Sequence, residues 1–246
     1  MKAIIMAGGK GTRLYDSEHP SPKVLREALG RPLISYVLDS IDFIPEKDIH
    51  IIVGFMADAV KAAFPKRNFV LQGDKGYGTG YAVQCAVEQE KLEEYDGNVV
   101  ILSGDVPLIN KETIVRLAKQ HEEEGNACTL LSCVSERELP FGRILRDADG
   151  NVKEIKEHKD CNEEERKVRE LNVGLYVFDC KKLCAALKRI DCNNAANEYY
   201  LTDVPKIMLS DGEKVGACIT HDERELCGVN TPDDLAYVER LLSEKR

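Results

Sequence analysis

The chain has no Trp, only 6% aromatic residues, and no apolar run approaching the roughly 20 residues that cross a bilayer. A membrane span is therefore not expected. The opening run from Lys2 to Gly9 is too short for a secretory leader and leads straight into glycines, so secretion is not expected either. Positive charge is in deficit, with 34 Lys+Arg against 43 Asp+Glu and a net charge of −9. That is the wrong sign for wrapping a nucleic-acid backbone, so no nucleic-acid partner is expected. A small anionic substrate stays compatible, because local cations and backbone N–H groups hold an anion against the global field. The nine cysteines contain no CxxC pair and no clustered histidines, which argues against a zinc site. Their number is odd, and Cys85, Cys128, Cys133 and Cys218 stand in apolar stretches where a thiol acts as a small hydrophobe. Reduced thiols and a cytoplasmic location are the expectation. Low-complexity linkers and internal repeats are also missing.

What is present is 246 residues with 43% hydrophobic and 31% charged side chains, enough for one sizeable core. Strand-like and helix-like segments alternate through the first half. Lys2 to Ala7 reads as a buried strand closed by Gly8-Gly9, and Pro32 opens a helical segment with Leu33, Ile34, Val37, Leu38 and Ile41 on one face. Strands are predicted at Ile49 to Val53, Phe69 to Gln72, Asn98 to Leu102 and Ala127 to Val134. Helices are predicted at Ala57 to Phe64, Gly80 to Leu92 and Glu112 to Glu124. Such units imply an α/β fold with a parallel sheet covered on both faces. The second half differs: Gly142 to Arg146 and Asn151 to Ile155 flank Asp147-Ala148-Asp149-Gly150 as a β-hairpin. A charged, loop-like or weakly helical stretch follows from Lys156 to Glu170. Then come a strand at Leu171 to Phe178, helices from Lys181 and near Asp203 to Ser210, a strand at Val215 to Ile219, and a helix from Pro232.

Met6-Ala-Gly-Gly-Lys-Gly-Thr-Arg13 follows the first strand. Its glycines let backbone N–H groups approach an anion, and Lys10 and Arg13 add charge. A dinucleotide fingerprint fails at Leu14, and a Walker A loop fails at Gly11. Ser21-Pro22-Lys23 then places a lysine on a loop stiffened by proline. Asp105 ends an apolar strand, the edge at which open α/β sheets bind ligands. From the residues alone, each candidate also has a plain structural reading. Lys23 reads as a surface lysine, Asp105 as a strand-end turn or helix cap, Asn230 as a cap before Pro232, and Glu157 as part of a solvated charge run.

MAGGKGTRL with PKVL, GTGYA at Gly78 to Ala82, SGDVPLI at Ser103 to Ile109, FGRI at Phe141 to Ile144, KEHKD at Lys156 to Asp160, LNVGLY at Leu171 to Tyr176, EYYLTD at Glu198 to Asp203 and GVNT at Gly228 to Thr231 occur in this order. Together they resemble the sugar-1-phosphate nucleotidyltransferase family, in particular the uridylyltransferase domains of the bacterial bifunctional N-acetylglucosamine-1-phosphate uridylyltransferase/acetyltransferases. The resemblance runs from Met1 to about Leu242. It implies a Rossmann-like mixed, mostly parallel sheet flanked by helices, with a β-hairpin-bearing sugar-binding half. A single nucleotidyltransferase domain over 1–246 would divide into a nucleotide-binding half (1–110) and a sugar-binding half (111–246).

The activity implied is in-line attack of a sugar 1-phosphate oxygen on the α-phosphorus of a nucleoside triphosphate, UTP being favoured, with pyrophosphate leaving. The resemblance assigns catalysis to Arg13, Lys23 and Asp105. It assigns nucleotide binding to Met6, Ala7, Gly8, Gly9, Lys23, Gln72, Gly78, Thr79, Ser103 and Gly104, sugar binding to Gly142, Glu157, Asn172 and Thr202, and a Mg²⁺ cofactor to Asp105 and Asn230. Gln72 is chemically apt, since an amide offers a base edge both a donor and an acceptor. N-acetylglucosamine 1-phosphate is the implied acceptor. Two stretches depart from the pattern: Arg13 to Lys23 spans ten positions instead of seven, and Gln72 to Gly78 is one residue longer. Hexapeptide repeats do not occur before Arg246, so acetyl transfer is not expected of this chain. A cytidylyltransferase for another phosphorylated substrate and a non-catalytic nucleotide-sugar sensor remain as alternatives.

Overall fold

Ala3, Ile4 and Ile5 are all fully buried, the mark of a strand covered on both faces rather than one. The computed structural model describes residues 1–9, 11, 14 and 20–244. In chain order its strands are β1 (Lys2–Met6), β2 (Glu27–Ala28), β3 (Arg31–Pro32), β4 (Ile49–Val53), β5 (Asn68–Leu71), β6 (Asn98–Ser103), β7 (Cys128–Val134), β8 (Arg143–Arg146), β9 (Val152–Lys156), β10 (Glu170–Asp179) and β11 (Val215–Thr220). The helices are α1 (Leu33–Ser40), α2 (Ala57–Ala63), α3 (Thr79–Gln89), α4 (Lys111–Glu124), α5 (Glu163–Arg166), α6 (Cys180–Leu187), α7 (Val204–Ser210) and α8 (Pro232–Glu244).

The main sheet has the order β11-β7-β10-β6-β1-β4-β5, with β8 and β9 attached through β10. β1 pairs in parallel with both β4 and β6, and β4 with β5. The mixed, mostly parallel sheet is flanked by helices on both faces. Ile4, Ile52 and Ile101 point into one core with residues of α3, α6 and α7. Ile5, Ile51 and Leu102 point into the other with residues of α1, α2 and α4. Each such fully buried side chain contributes about 1.5–3 kcal/mol of transfer free energy, which is why the strands read as unbroken apolar runs.

Two details depart from the periodicity, and a third, the weakly helical stretch, is as expected. Pro32 stands just outside α1 as its cap, with extended backbone, instead of inside the first turn. The segment predicted as one helix from Gly80 to Leu92 stops at Gln89. Lys91 then turns left-handed at φ 50°, and Leu92–Glu94 makes a separate 3₁₀ turn that returns Leu92 to the core. The charged stretch after Lys156 holds a 3₁₀ turn and the short α5, whose start is fixed by a reciprocal capping box between Asn162 and Glu165.

Parallel strands place their C-terminal ends at one edge, so the turns after Met6, Val53, Leu71 and Ser103 gather there. β10 runs antiparallel to β6, with Tyr176 opposite Ile101. Its first residues, including Asn172, therefore project beyond Ser103 at that same edge. A register shift against β7 falls between Asn172 and Tyr176, around Gly174 at φ 84°.

Candidate functional site

At this edge lies an open cavity of about 580 Å³. All the nucleotide positions read from the sequence line it except Gly104, whose N–H donates to the Met6 carbonyl at 2.9 Å and ties β6 to β1. Gly8 is where the turn after β1 meets the turn after β5. A Cβ on Gly8 would stand 2.5 Å from the Gln72 side-chain oxygen, so the missing side chain lets that amide lie across the turn. Gly78 adopts φ 107°, and any Cβ there would collide with the Tyr199 carbonyl. The segment around it is pinned by Gly80 N–H donating to Tyr199 O at 2.8 Å and by Leu201 N–H donating to the Thr79 hydroxyl at 3.0 Å. The Thr79 side chain is thus engaged in joining the loop before α3 to the loop before α7.

Lys23 begins a 3₁₀ turn (Lys23–Leu25) that follows extended Pro22 and is anchored by buried Val24. With Val24 turned inward, the Lys23 stem fills the space where a Gly11 side chain would stand. Its ammonium pairs with Asp105 and donates to the Asn230 side-chain oxygen at 2.9 Å. The Lys23 and Asp105 side chains are only 15% and 11% exposed. The Ser103 hydroxyl donates to the other Asp105 carboxylate oxygen. The main chain holds the two acceptor-bearing loops together, because Val229 N–H donates to Asp105 O at 2.9 Å.

These contacts separate the readings that the sequence left open. The Asp105 side chain caps no helix; it meets a hydroxyl and an ammonium. The cap of α8 is Thr231, whose hydroxyl accepts from Asp234 N–H at 3.2 Å, while Asp234 accepts from the N–H groups of Asn230 and Thr231. The Asn230 amide is left to donate to Gly228 O at 3.2 Å and to present its oxygen to Lys23. Arg13 and Lys10 lie outside the described residues.

Gly142, Glu157, Asn172 and Thr202 do not line the cavity, and are joined in two pairs. Asn172 N–H donates to Gly142 O at 2.9 Å, and the Asn172 amide donates to the Tyr176 hydroxyl at 2.7 Å. Thr202 donates to Glu157 at 2.9 Å. Burial pushes the Glu157 carboxyl above its ordinary pKa, the Thr202 hydrogen bond offsets part of this, and Asp160, Asp203 and Glu198 push the same way as burial. The local composition points Glu157 to solvent, since its neighbours are Lys156, His158 and Lys159, and only the family resemblance marked it out. Tyr77 and Asp74, on the longer loop after β5, also line the cavity unforeseen, and Tyr77 is 65% exposed. The one signal for them was the extra residue in that loop.

A pH test follows from Glu157. Between the ordinary carboxylate pKa and its raised value, the folded chain binds more protons than the unfolded one, so this residue's contribution to stability falls as pH rises through that window. Glu157→Gln removes the titration. Its gain in Tm over the wild type is expected to be larger at pH 7 than at pH 4; equal differences at the two pH values would contradict this.

No histidine among the described residues lines the cavity. His50 and His121 are buried, His121 beside the Thr129 hydroxyl at 3.0 Å, and burial lowers the pKa of both. All nine cysteines are free, seven of them buried. Among the described residues no helix is long and apolar enough to cross a membrane.

Comparison with known proteins gives this arrangement a lineage. The MobA-like NTP transferase domain matches residues 3–194. The chain is 42% identical over 245 residues to the bifunctional protein GlmU of Clostridium perfringens, covering 99% of this chain and 52% of that protein. Against GlmU of Clostridium botulinum the identity is 41% over 244 residues, with the same coverage. The chain thus spans about half the length of the curated relatives it matches. A putative glucose-1-phosphate thymidylyltransferase from Bacillus anthracis, solved with a sucrose, superposes with a TM-score of 0.73 at 21% identity, over 98% of this chain and 94% of that one. A UDP-glucose pyrophosphorylase complexed with UDP-glucose superposes with a TM-score of 0.75 at 14% identity, over 100% and 99% of the two chains. At such identities the two structures speak for the fold, and the sequence match decides the family: this chain belongs to the MobA-like NTP transferases.

Proposed function

We propose that the chain transfers a uridylyl group from UTP to a sugar 1-phosphate, N-acetylglucosamine 1-phosphate in the first instance, giving a nucleotide sugar and pyrophosphate. The observation that carries this reading is the convergence of Lys23, Asp105 and Asn230 beside a glycine-lined cavity at the C-terminal edge of the sheet. At about 580 Å³ the cavity falls within the usual size for a small-molecule site. The match to GlmU over nearly the whole chain supports the same chemistry.

In this reading the nucleotide half (1–110) holds the triphosphate, with the Gly8–Gly9 turn offering backbone N–H groups and Lys23 offering charge. Gln72 and the Gly78–Thr79 segment face the base. The sugar half (111–246) supplies Gly142, Glu157, Asn172 and Thr202, whose amide, hydroxyl and carboxylate groups suit sugar hydroxyls. One phosphate oxygen of the sugar attacks the α-phosphorus, the bond to the β-phosphate oxygen breaks, and pyrophosphate departs. Positioning and charge neutralisation carry such a displacement.

Asp105 and Asn230 fit a divalent ion, because a carboxylate oxygen and an amide oxygen already converge on one positive charge. Those two residues would hold Mg²⁺, which would neutralise phosphate charge when bound. A cytoplasmic location accords with nine free thiols.

Pyrophosphate release, measured for the four nucleoside triphosphates against several sugar 1-phosphates, tests the reading. UTP with N-acetylglucosamine 1-phosphate is expected to give the highest kcat/KM. A clear preference for CTP would replace the uridylyl assignment, and no release with any pair would favour a sensor.

A further inference from the structure

We propose that in the free protein the Lys23 ammonium stands in the cation position of the Asp105–Asn230 pair, so that a divalent ion enters this pair only together with the triphosphate. The inference rests on the nucleotidyltransferase reading and adds an order of binding to it. The two oxygens that suit a metal are both engaged by one ammonium: Asp105 in an ion pair and Asn230 at 2.9 Å. A divalent ion at the same oxygens would face that ammonium at a few ångströms with little solvent between, since both charged side chains are largely covered. Among the described residues the Lys23 ammonium is ion-paired with Asp105 alone, so metal without nucleotide has to displace it with no replacement anion from them.

A triphosphate removes that obstacle. Lys23, Gly8 and Gly9 line one cavity, so phosphates seated on the glycine turn offer the ammonium a replacement anion. The move needs no backbone change. Val24 fixes the turn in the core while the four-carbon stem of Lys23 rotates over Gly11. The triphosphate also brings its own oxygens to the ion, which matches the habit of Mg²⁺ of binding through one or two protein oxygens plus phosphate. The same side chain then serves twice, neutralising Asp105 in the free protein and the phosphates in the complex.

The test is Mn²⁺ binding to the full chain, read by water-proton relaxation enhancement without any sugar phosphate, so that nothing turns over. Wild type without nucleotide is expected to bind Mn²⁺ weakly. Lys23→Met, which keeps the stem and removes the charge, is expected to bind it roughly tenfold more tightly or better. Lys23→Ala should shift affinity in the same direction, which guards against a folding defect peculiar to one substitution. Adding Asp105→Asn to Lys23→Met should abolish the gain. Adding UTP to the wild type should bring Mn²⁺ onto the protein in an Asp105-dependent way. If Lys23→Met and Lys23→Ala bind Mn²⁺ no better than wild type while UTP still recruits the ion through Asp105, the exchange is wrong and the nucleotidyltransferase reading stands. If UTP recruits no Mn²⁺ to any variant, that reading fails and the exchange fails with it.

Discussion

Asp105→Ala is expected to lower kcat by about a thousandfold or more, equivalent to about 4 kcal/mol of barrier, while leaving the fold intact. The carboxylate is the meeting point of the site. It takes the Ser103 hydroxyl on one oxygen and the Lys23 ammonium on the other, and its main-chain oxygen holds Val229. The main-chain bond survives the substitution, so the loop that carries Asn230 stays in place. What is lost is the negative charge that would hold Mg²⁺ against the triphosphate. Asp105→Asn sharpens the test, because it keeps the shape and removes the charge. Both variants should lose turnover at saturating UTP and saturating Mg²⁺, with melting temperatures near that of the wild type. Wild-type kcat in either variant would remove Asp105 from the chemistry and return it to a strand-end role.

Lys23→Ala is expected to lower kcat and kcat/KM together by roughly a hundredfold, about 3 kcal/mol. Negative charge shifts toward the leaving pyrophosphate as the bond to the α-phosphorus breaks, and an ammonium carried on a turn anchored by Val24, once seated on the phosphates, meets that charge without rearranging solvent. The Val24 anchor and the Gly11 contact make the placement of Lys23 specific, unlike that of an exposed lysine. Steady-state kinetics with UTP varied decide the point. A rise in KM with kcat unchanged would make Lys23 a binding residue that holds substrate and transition state equally.

The parts of the fold that were legible in the sequence are those in which local pattern and tertiary role coincide. The Lys2 to Ala7 run announces a strand buried on both faces, and its closing glycines announce the turn at the ligand edge. The hairpin around Asp147 to Gly150 is likewise local: the Asp147 carboxylate accepts from the N–H groups of Asp149 and Asn151. The antiparallel placement of β10 was not legible, because its long pairings are with β6 and β7, which end 36 or more residues earlier in the chain, and its own alternation is the same in either direction. It is this reversal that brings Asn172 to the edge where Asp105 lies.

In the site, Asp105 was legible from its strand, but the division of labour between Asn230 and Thr231 was not. Both are good caps, and only the three-dimensional contact with Lys23, 207 residues away, separates them. Glu157 was masked for the opposite reason. Its charged neighbours suggest solvent, whereas Thr202 from a distant loop covers it. Tyr77 was hidden in an insertion, where the family pattern offers no guide.

The central claim is that a sugar phosphate oxygen attacks the α-phosphorus of UTP, and an isotope measurement addresses it most directly. The chain is incubated with UTP, Mg²⁺ and N-acetylglucosamine 1-phosphate carrying ¹⁸O in its nonbridging phosphate oxygens, and both products are weighed by mass spectrometry. The predicted result is a nucleotide sugar that retains all of the label and a pyrophosphate that carries none. Label in the pyrophosphate, or pyrophosphate formed without any nucleotide sugar, would contradict the account.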